Sequence, residues 1–518
     1  MRALGEGERR STLVCWVREH ASEVKVTLAE TAVLSVTATL ACATLGWFGG
    51  RYTDEDQTMF WVAAKEIWHG HFREPCFYGQ AYNTLWEAVV AAVPVGLGAN
   101  PAWAVPVVAL SAGLAPYFLL GAIAARRSAW WGLVVSAGPL MLPARFWLLN
   151  CLASYNGGVL CAAIGLFVLD RIETRWGRCV GFGLLALALW INPNSLLLVL
   201  PAAIVAVRSA GRGSGWGLPG VATAVGIVVA SRAFYSSHPA YRLHVSGQDS
   251  SSLSLLADGL QHLDQFWTPN APESPFGPLG PALIVAIAAA ALWKRSRLDA
   301  MALASGVAVA LLSLGTEKVH NGTDGVFFDR ARMFLSLPAL AAFSAAWAAR
   351  SGVWGDPKVF GWVALSAVAA LGKLTALPAE IDRSALRSDP VSPMRVAEVM
   401  ERCDEIARLA EGAGARSVLF ESNAQRTLNY GCGARLDGRL TTLHPPYERR
   451  TWLLLEKVRA PTGRILVLGA PSSFCPRLQG LCATCGPVVE RREELLADCG
   501  QTPLIEVLRR GDLNVRAF

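Results

Sequence analysis

Long apolar runs constrain this chain more than any other feature. They lie roughly at 28–49, 101–125, 129–149, 155–170, 216–234, 278–293, 298–314, 331–349 and 359–377, each of about the length needed to cross a hydrocarbon core about 30 Å thick. A further stretch, 179–208, is interrupted by Asn192-Pro193-Asn194. A proline between asparagines breaks the helical ladder and asks for solvent or protein partners, so this stretch reads as two short helices meeting at one surface. The total is eleven spans. Hydrophobic residues make up 53% of the chain and charged ones 17%, a combination outside the range of soluble proteins of this size.

Charge decides orientation. With the N-terminus inside, the segments 1–25, 126–127, 171–178, 208–212, 294–297 and 350–358 are internal and hold seventeen Lys and Arg residues. The outer segments are longer and hold fewer, which is the positive-inside bias. The segment 1–25 carries both signs of charge and has no small-residue cleavage site, so the first span reads as uncleaved. Eleven spans place everything after about Leu377 outside. The chain divides into a membrane domain, 1–379, whose first outer loop is 50–100, and a soluble extracytoplasmic domain, 380–518.

The outer part has the composition of a soluble α/β domain. Helical periodicity covers 393–413, Ser417–Phe420 and Ile465–Leu468 read as buried strands, and Tyr447–Val458 reads as a helix. Six cysteines, Cys403, Cys432, Cys475, Cys482, Cys485 and Cys499, form an even set suited to disulfides outside the cytosol, with connectivity open. Cys482-Ala483-Thr484-Cys485 also fits a redox or zinc motif, although it lacks a partner pair. Tyr430-Gly431-Cys432-Gly433 lacks the third glycine of a dinucleotide fingerprint. Twenty basic and eighteen acidic residues leave no electrostatic footprint for nucleic acid.

The chemistry concentrates in Asp54-Glu55-Asp56-Gln57, just beyond the first span. Carboxylates at a membrane boundary are costly to desolvate and need a reason to be there. Apolar residues recur at helical spacing from Asp56 to Gly70, so the cluster opens a helix whose free N–H groups and dipole favour negative charge. Capping and chemistry both account for Asp54 and Asp56, and spacing does not choose between them.

Asp56, Ala64 and Gly70, then Phe77-Tyr78-Gly79-Gln80-Ala81-Tyr82 followed by Glu87, resemble the first outer loop of the GT-C superfamily of membrane glycosyltransferases. That superfamily includes the protein O-mannosyltransferases and the bacterial aminoarabinose transferases acting on lipid A. The resemblance covers the first loop well, the spans loosely and the tail by position only, and Gln57 stands where Glu is usual. It implies an α-helical polytopic membrane fold with an extracytoplasmic α/β domain. The implied activity is inverting transfer of a sugar from a polyprenyl-phosphate donor to a glycan, lipid or protein acceptor, with Asp56 as general base. Glu55 or Asp54 would supply the second carboxylate. Tyr78, Gln80, Tyr82 and Glu87 would line the substrate site.

A leaving phosphate needs cations, and Lys318, His320, Arg330 and Arg332 stand in the outer segment before a later span. Snorkelling to headgroups accounts equally for each arginine. No cofactor is expected, and a divalent cation at the acidic cluster is not favoured. His69-Gly70-His71 reads as a polar turn and not a metal site. The loop Tyr235–Pro281, with His238, His244, Asp249 and Asp258, is long enough to shape an acceptor groove. Abundant Ala, Arg and Trp point to a bacterial plasma membrane protein. A transporter or lipid flippase is the competing class, and a noncatalytic scaffold of the same fold is the third.

Overall fold

The computed structural model describes residues 26–511 apart from 81–82, 239–240, 242–249, 272–275, 356, 358, 388–391, 423–424, 437, 445–447, 458–459, 470–473 and 489–490. Tyr82, His244 and Asp249 lie outside the described residues.

Helices dominate the first part. Helix α1 is Val26–Gly49, and the first loop carries strand β1 (Tyr52–Thr53) with helices α2 (Glu55–Trp68) and α3 (Trp86–Gly96). Then follow α4 (Pro101–Ala124), α5 (Ala129–Ser136), α6 (Ala144–Asn150), α7 (Gly157–Arg171), α8 (Arg175–Ile191), α9 (Leu196–Ala210) and α10 (Leu218–Ser237). Two loop helices, α11 (Leu253–Gln261) and α12 (Leu263–Trp267), precede α13 (Gly280–Trp293), α14 (Arg297–Ser313), the short α15 (Glu317–His320), α16 (Ser336–Arg350) and α17 (Val359–Ser384).

Among the described residues six segments are long and apolar enough to cross a bilayer: Val26–Gly49, Pro101–Ala124, Pro193–Ala210, Gly213–Ser237, Arg330–Arg350 and Gly361–Ser384. The remaining expected spans are also helical but shorter, at 14 to 17 residues for α7, α8, α13 and α14. The expected run 129–149 is not one rod. Pro139 and Pro143 lack the N–H a continuous helix needs, and the chain breaks into α5, a tight turn at Gly138–Met141, and α6. Lys373 donates to the Leu140 carbonyl at 2.7 Å and Trp147 to that of Pro139 at 3.2 Å, so side chains satisfy carbonyls the break exposes. At Asn192 the interruption is as expected. Its side-chain oxygen caps Asn194 N–H and its amide donates to the Ser154 carbonyl.

Alternating helix direction gathers the basic turns at one end of the bundle. There, buried Asp170 meets Arg126, Arg171 and Arg350, and Asp299 meets Arg208. The first loop, the turn 150–156, the segment 314–335 and the tail collect at the opposite end.

The tail begins with β2 (Met394–Arg395), which pairs antiparallel with β1. Helix α18 (Val396–Ala413) ends on Gly414 in the left-handed conformation, a stop that glycine adopts without steric cost. Then come β3 (Ser417–Phe420), α19 (Arg426–Arg435), β4 (Thr441–Leu443), α20 (Thr451–Lys457), β5 (Arg464–Leu468), α21 (Phe474–Arg477), β6 (Thr484–Val488), β7 (Arg491–Asp498) and α22 (Leu504–Arg510). The sheet order is β4-β3-β5-β7-β6, with β4, β3 and β5 parallel, β7 antiparallel to β5 and β6 antiparallel to β7. All six tail cysteines are paired, as Cys403–Cys432, Cys475–Cys485 and Cys482–Cys499.

One core runs through both parts. Helix α2 is buried continuously from Gln57 to Ala64, because α3 and α4 of the membrane part and α19 of the tail pack against it. A helix apolar all round belongs between two layers. Burying Phe60 and Trp61 there contributes about 1.5–3 kcal/mol each. Close approach of α19 depends on Gly431, whose added Cβ would lie 2.5 Å from Val399 Cγ1.

Candidate active site

The three carboxylates of the first loop have different surroundings. Asp54 is the N-cap of α2: its side chain accepts Gln57 N–H at 2.9 Å and is buried. Burial, followed by the negative charge of Asp56, pushes its pKa well above the usual carboxylate range. Glu55 is also buried, and burial raises its pKa against the opposing pull of Arg449. Asp56 is the open member, with 28% of its side chain exposed. Capping, one of the two roles open to Asp54 and Asp56 in the sequence, is therefore carried by Asp54, and Asp56 keeps a solvent-facing carboxylate.

Two arginines of the tail face this cluster. Arg426 Nε lies 2.9 Å from Glu55 Oε2, and its Nη1 donates to Glu55 Oε1 at 3.1 Å. Arg449 Nη1 donates to Asp56 Oδ1 at 3.0 Å, and Nη2 is 3.5 Å from Glu55 Oε1. Arg426 opens the helix after β3 and Arg449 follows β4, so both come from the carboxyl ends of parallel strands, the usual site-forming edge of such sheets. Behind Arg449, buried Glu448 and Arg450 bond each other at 2.7 and 2.9 Å. Arg450 also donates to the Thr442 carbonyl at 2.9 Å, and Arg449 N–H reaches the Tyr430 hydroxyl at 3.3 Å.

The turn 150–156 adjoins the first loop. The Gln57 amide oxygen accepts Ala153 N–H at 2.9 Å and the Glu87 carboxylate accepts Ser154 N–H at 2.8 Å. Ser154 has a φ of +87°, a strained conformation for a residue with a Cβ, and Glu87 and Asn192 hold it from two sides. Glu87 is fully buried and its carboxyl is pushed up to about 7 by desolvation. Tyr78, also left-handed at φ +40°, is buried, and Gln80 accepts from the Asn83 amide at 3.3 Å. Gln57, the neighbour of Asp56, and Glu87 thus tie this turn to the first loop.

The four candidate phosphate partners occupy the neighbouring segment 314–335. Its Phe327 packs on Phe48, which also stacks on Tyr52, so the segment adjoins the start of the acidic loop. Arg332 is buried, lies over the Phe328 ring and donates to the carbonyls of Phe328, Asp329 and Asn321. Arg330 keeps 31% of its side chain exposed and bonds Gly322 O and Gln265. His320 joins Leu314 O and Asp258, and Lys318 stands half-buried beside it. None of the hydrogen bonds described for these four reaches the carboxylates of Asp54, Glu55 or Asp56.

The sequence matches no family model and no curated protein. Solved structures do match. ArnT from Cupriavidus metallidurans in the apo state aligns over 94% of this chain and 99% of its own, with a TM-score of 0.53 at 11% identity. The structure of the same protein bound to undecaprenyl phosphate aligns over 90% and 97%, with a TM-score of 0.53 at 13% identity. The chain shares the fold of these structures over nearly its whole length. This chain is therefore a helical membrane protein of that architecture, with its small sheet domain at the C-terminal end.

Among the described residues no group of three or more His, Cys, Asp or Glu side chains converges as a metal site. His71 turns to Glu66 at 3.1 Å. Sequence reasoning missed Arg426 and Arg449, which lie 371 and 393 positions from their acidic partners. No local spacing connects them; the pairing of β1 with β2 and the packing of α19 on α2 bring the two regions together.

Proposed function

We propose that this protein is an inverting glycosyltransferase that moves a sugar from a polyprenyl-phosphate donor to a hydroxyl acceptor on the extracytoplasmic side. Asp56 removes the acceptor proton as that oxygen attacks the anomeric carbon, and the bond to the lipid phosphate breaks with its electron pair leaving on phosphate. The observation carrying this reading is the division of labour in the cluster: Asp54 caps, Glu55 is locked to arginine, and Asp56 alone of the three keeps a partly exposed carboxylate. The fold it shares with a protein solved with undecaprenyl phosphate supports a lipid-phosphate donor. Orientation is supported by the seventeen internal cations and by three disulfides in the tail, which suit an oxidising compartment.

On this reading Arg330 and Lys318 receive the leaving phosphate. Arg332 shapes their loop through its three carbonyl contacts. Buried Tyr78 and Glu87, with Gln80, brace the first loop that carries the carboxylates. The mechanism calls for no metal, since the charge of the buried acids is compensated by Arg426 and Arg449.

Purified protein incubated with a panel of polyprenyl-phosphate monosaccharides, followed by mass spectrometry, tests the proposal. Release of free polyprenyl phosphate from one member of the panel supports it. Movement of intact donor across a vesicle membrane, with no cleavage of any member, refutes it in favour of a flippase.

A further inference from the structure

The tail does more than cover the membrane domain: it sends a guanidinium to the proposed base. Arg449 spans two carboxylates, with Nη1 3.0 Å from Asp56 and Nη2 3.5 Å from Glu55, so its planar fork fixes the spacing between the buried acid and the open one. An aspartate near a helix start is otherwise free to choose among rotamers. The support behind Arg449 is unusually firm. Glu448 and Arg450 flank it in sequence, form a buried two-point ion pair, and tie that pair to Thr442 and Asn429. A buried ion pair adds little net stability and is better explained by the register it enforces. Here it fixes the backbone from which Arg449 projects. The β1–β2 pairing and the Arg51 carbonyl bonded to Val396 N–H at 2.8 Å hold the two parts in that register.

We propose that Arg449 is a positioning residue, delivered by the tail, that orients the Asp56 carboxylate, so that the site is complete only when the tail is seated on α2. This rests on the reading of Asp56 as general base. The test uses full-length protein in nanodiscs and follows cleavage of whichever polyprenyl-phosphate monosaccharide the panel identifies, for wild type, Arg449→Ala, Arg449→Lys and Asp56→Asn. Misplacing a base by about 1 Å costs on the order of 100-fold. Arg449→Ala is therefore expected to lose about 10–100-fold in kcat with little change in KM, Arg449→Lys to lose less, and millimolar guanidinium to restore part of the Arg449→Ala loss. Melting temperature and non-reducing mobility, read alongside, report whether the tail and its disulfides are intact.

Turnover of Arg449→Ala within twofold of wild type overturns the inference. So does a loss that guanidinium does not relieve while melting and disulfides match wild type. If Asp56→Asn is inactive and Arg449→Ala is normal, only this inference falls. If Asp56→Asn turns over normally, the reading of the base falls whatever Arg449→Ala does.

Discussion

Glu448→Gln isolates the support beneath Arg449. The Glu448 side chain is 0% exposed and that of Arg450 3%, and two hydrogen bonds join them. Making Glu448 neutral leaves a buried guanidinium without its counter-charge, and breaking one side of such a pair costs about 3–5 kcal/mol. A domain the size of the tail unfolds with an entropy of about 0.3 kcal/mol/K, so the melting transition should fall by about 10–17 °C. Scanning fluorimetry on full-length protein, following Trp452 and the other tryptophans, reads this directly. Glu448→Leu combined with Arg450→Met should recover most of the lost stability, because apolar replacement of both partners is near neutral. The double variant should nevertheless turn over donor more slowly, since the backbone holding Arg449 has lost its anchor. A drop of under about 3 °C for Glu448→Gln, or full activity in the double variant, refutes the reasoning.

Two further outcomes follow from the interface and the first loop. Glu74 is buried against the Tyr235 hydroxyl at 2.9 Å, and desolvation pushes its carboxyl up to about 8. Because the folded pKa is the higher one, the native state holds its proton across a window from about 4.5 to 8. Stability should then fall as pH rises through that window, by at most about 5 kcal/mol, and level off above it; Glu74→Gln should flatten the slope of melting temperature against pH, and an unchanged slope contradicts the assignment. Gly431→Ala should cost about 1–3 kcal/mol by driving a methyl into Val399. Adding Val399→Ala should relieve part of that cost, and additive losses in the double variant would show that the contact is not the cause.

The membrane architecture was legible because bilayer thickness sets segment length, and the break at Asn192-Pro193-Asn194 follows from proline chemistry. The run 129–149 misled for a related reason: its two prolines sit among apolar residues, so hydropathy alone concealed the break at Gly138–Met141. In the tail, α18, β3 and β5 were visible through their periodicity. Of the helix expected over Tyr447–Val458, Thr451–Lys457 is helical, whereas Glu448, Arg449 and Arg450 are not and are tied into ion pairs with Asp56, with Glu55 and between Glu448 and Arg450; Tyr447 and Val458 lie outside the described residues. Strand β7, written Arg-Arg-Glu-Glu-Leu-Leu-Ala-Asp, carries no apolar alternation at its start and was not apparent. Cysteine parity indicated disulfides, while their pairing required coordinates. At the site, the acidic cluster was prominent in the sequence, but its sorting into a cap, a buried ion-paired acid and a partly exposed ion-paired one depends on the tail packing against α2. Arg426 and Arg449 could not be found by any spacing rule.

Removal of the attacking hydroxyl's proton by Asp56 is the step on which all the proposed chemistry depends. The direct measurement is single-turnover cleavage of the polyprenyl-phosphate sugar by Asp56→Asn, an isostere that retains hydrogen bonding but not basicity, alongside binding of undecaprenyl phosphate to the same preparation. Binding should be unchanged and the rate lower by about 10²–10⁴-fold. Cleavage at the wild-type rate with binding intact would contradict it.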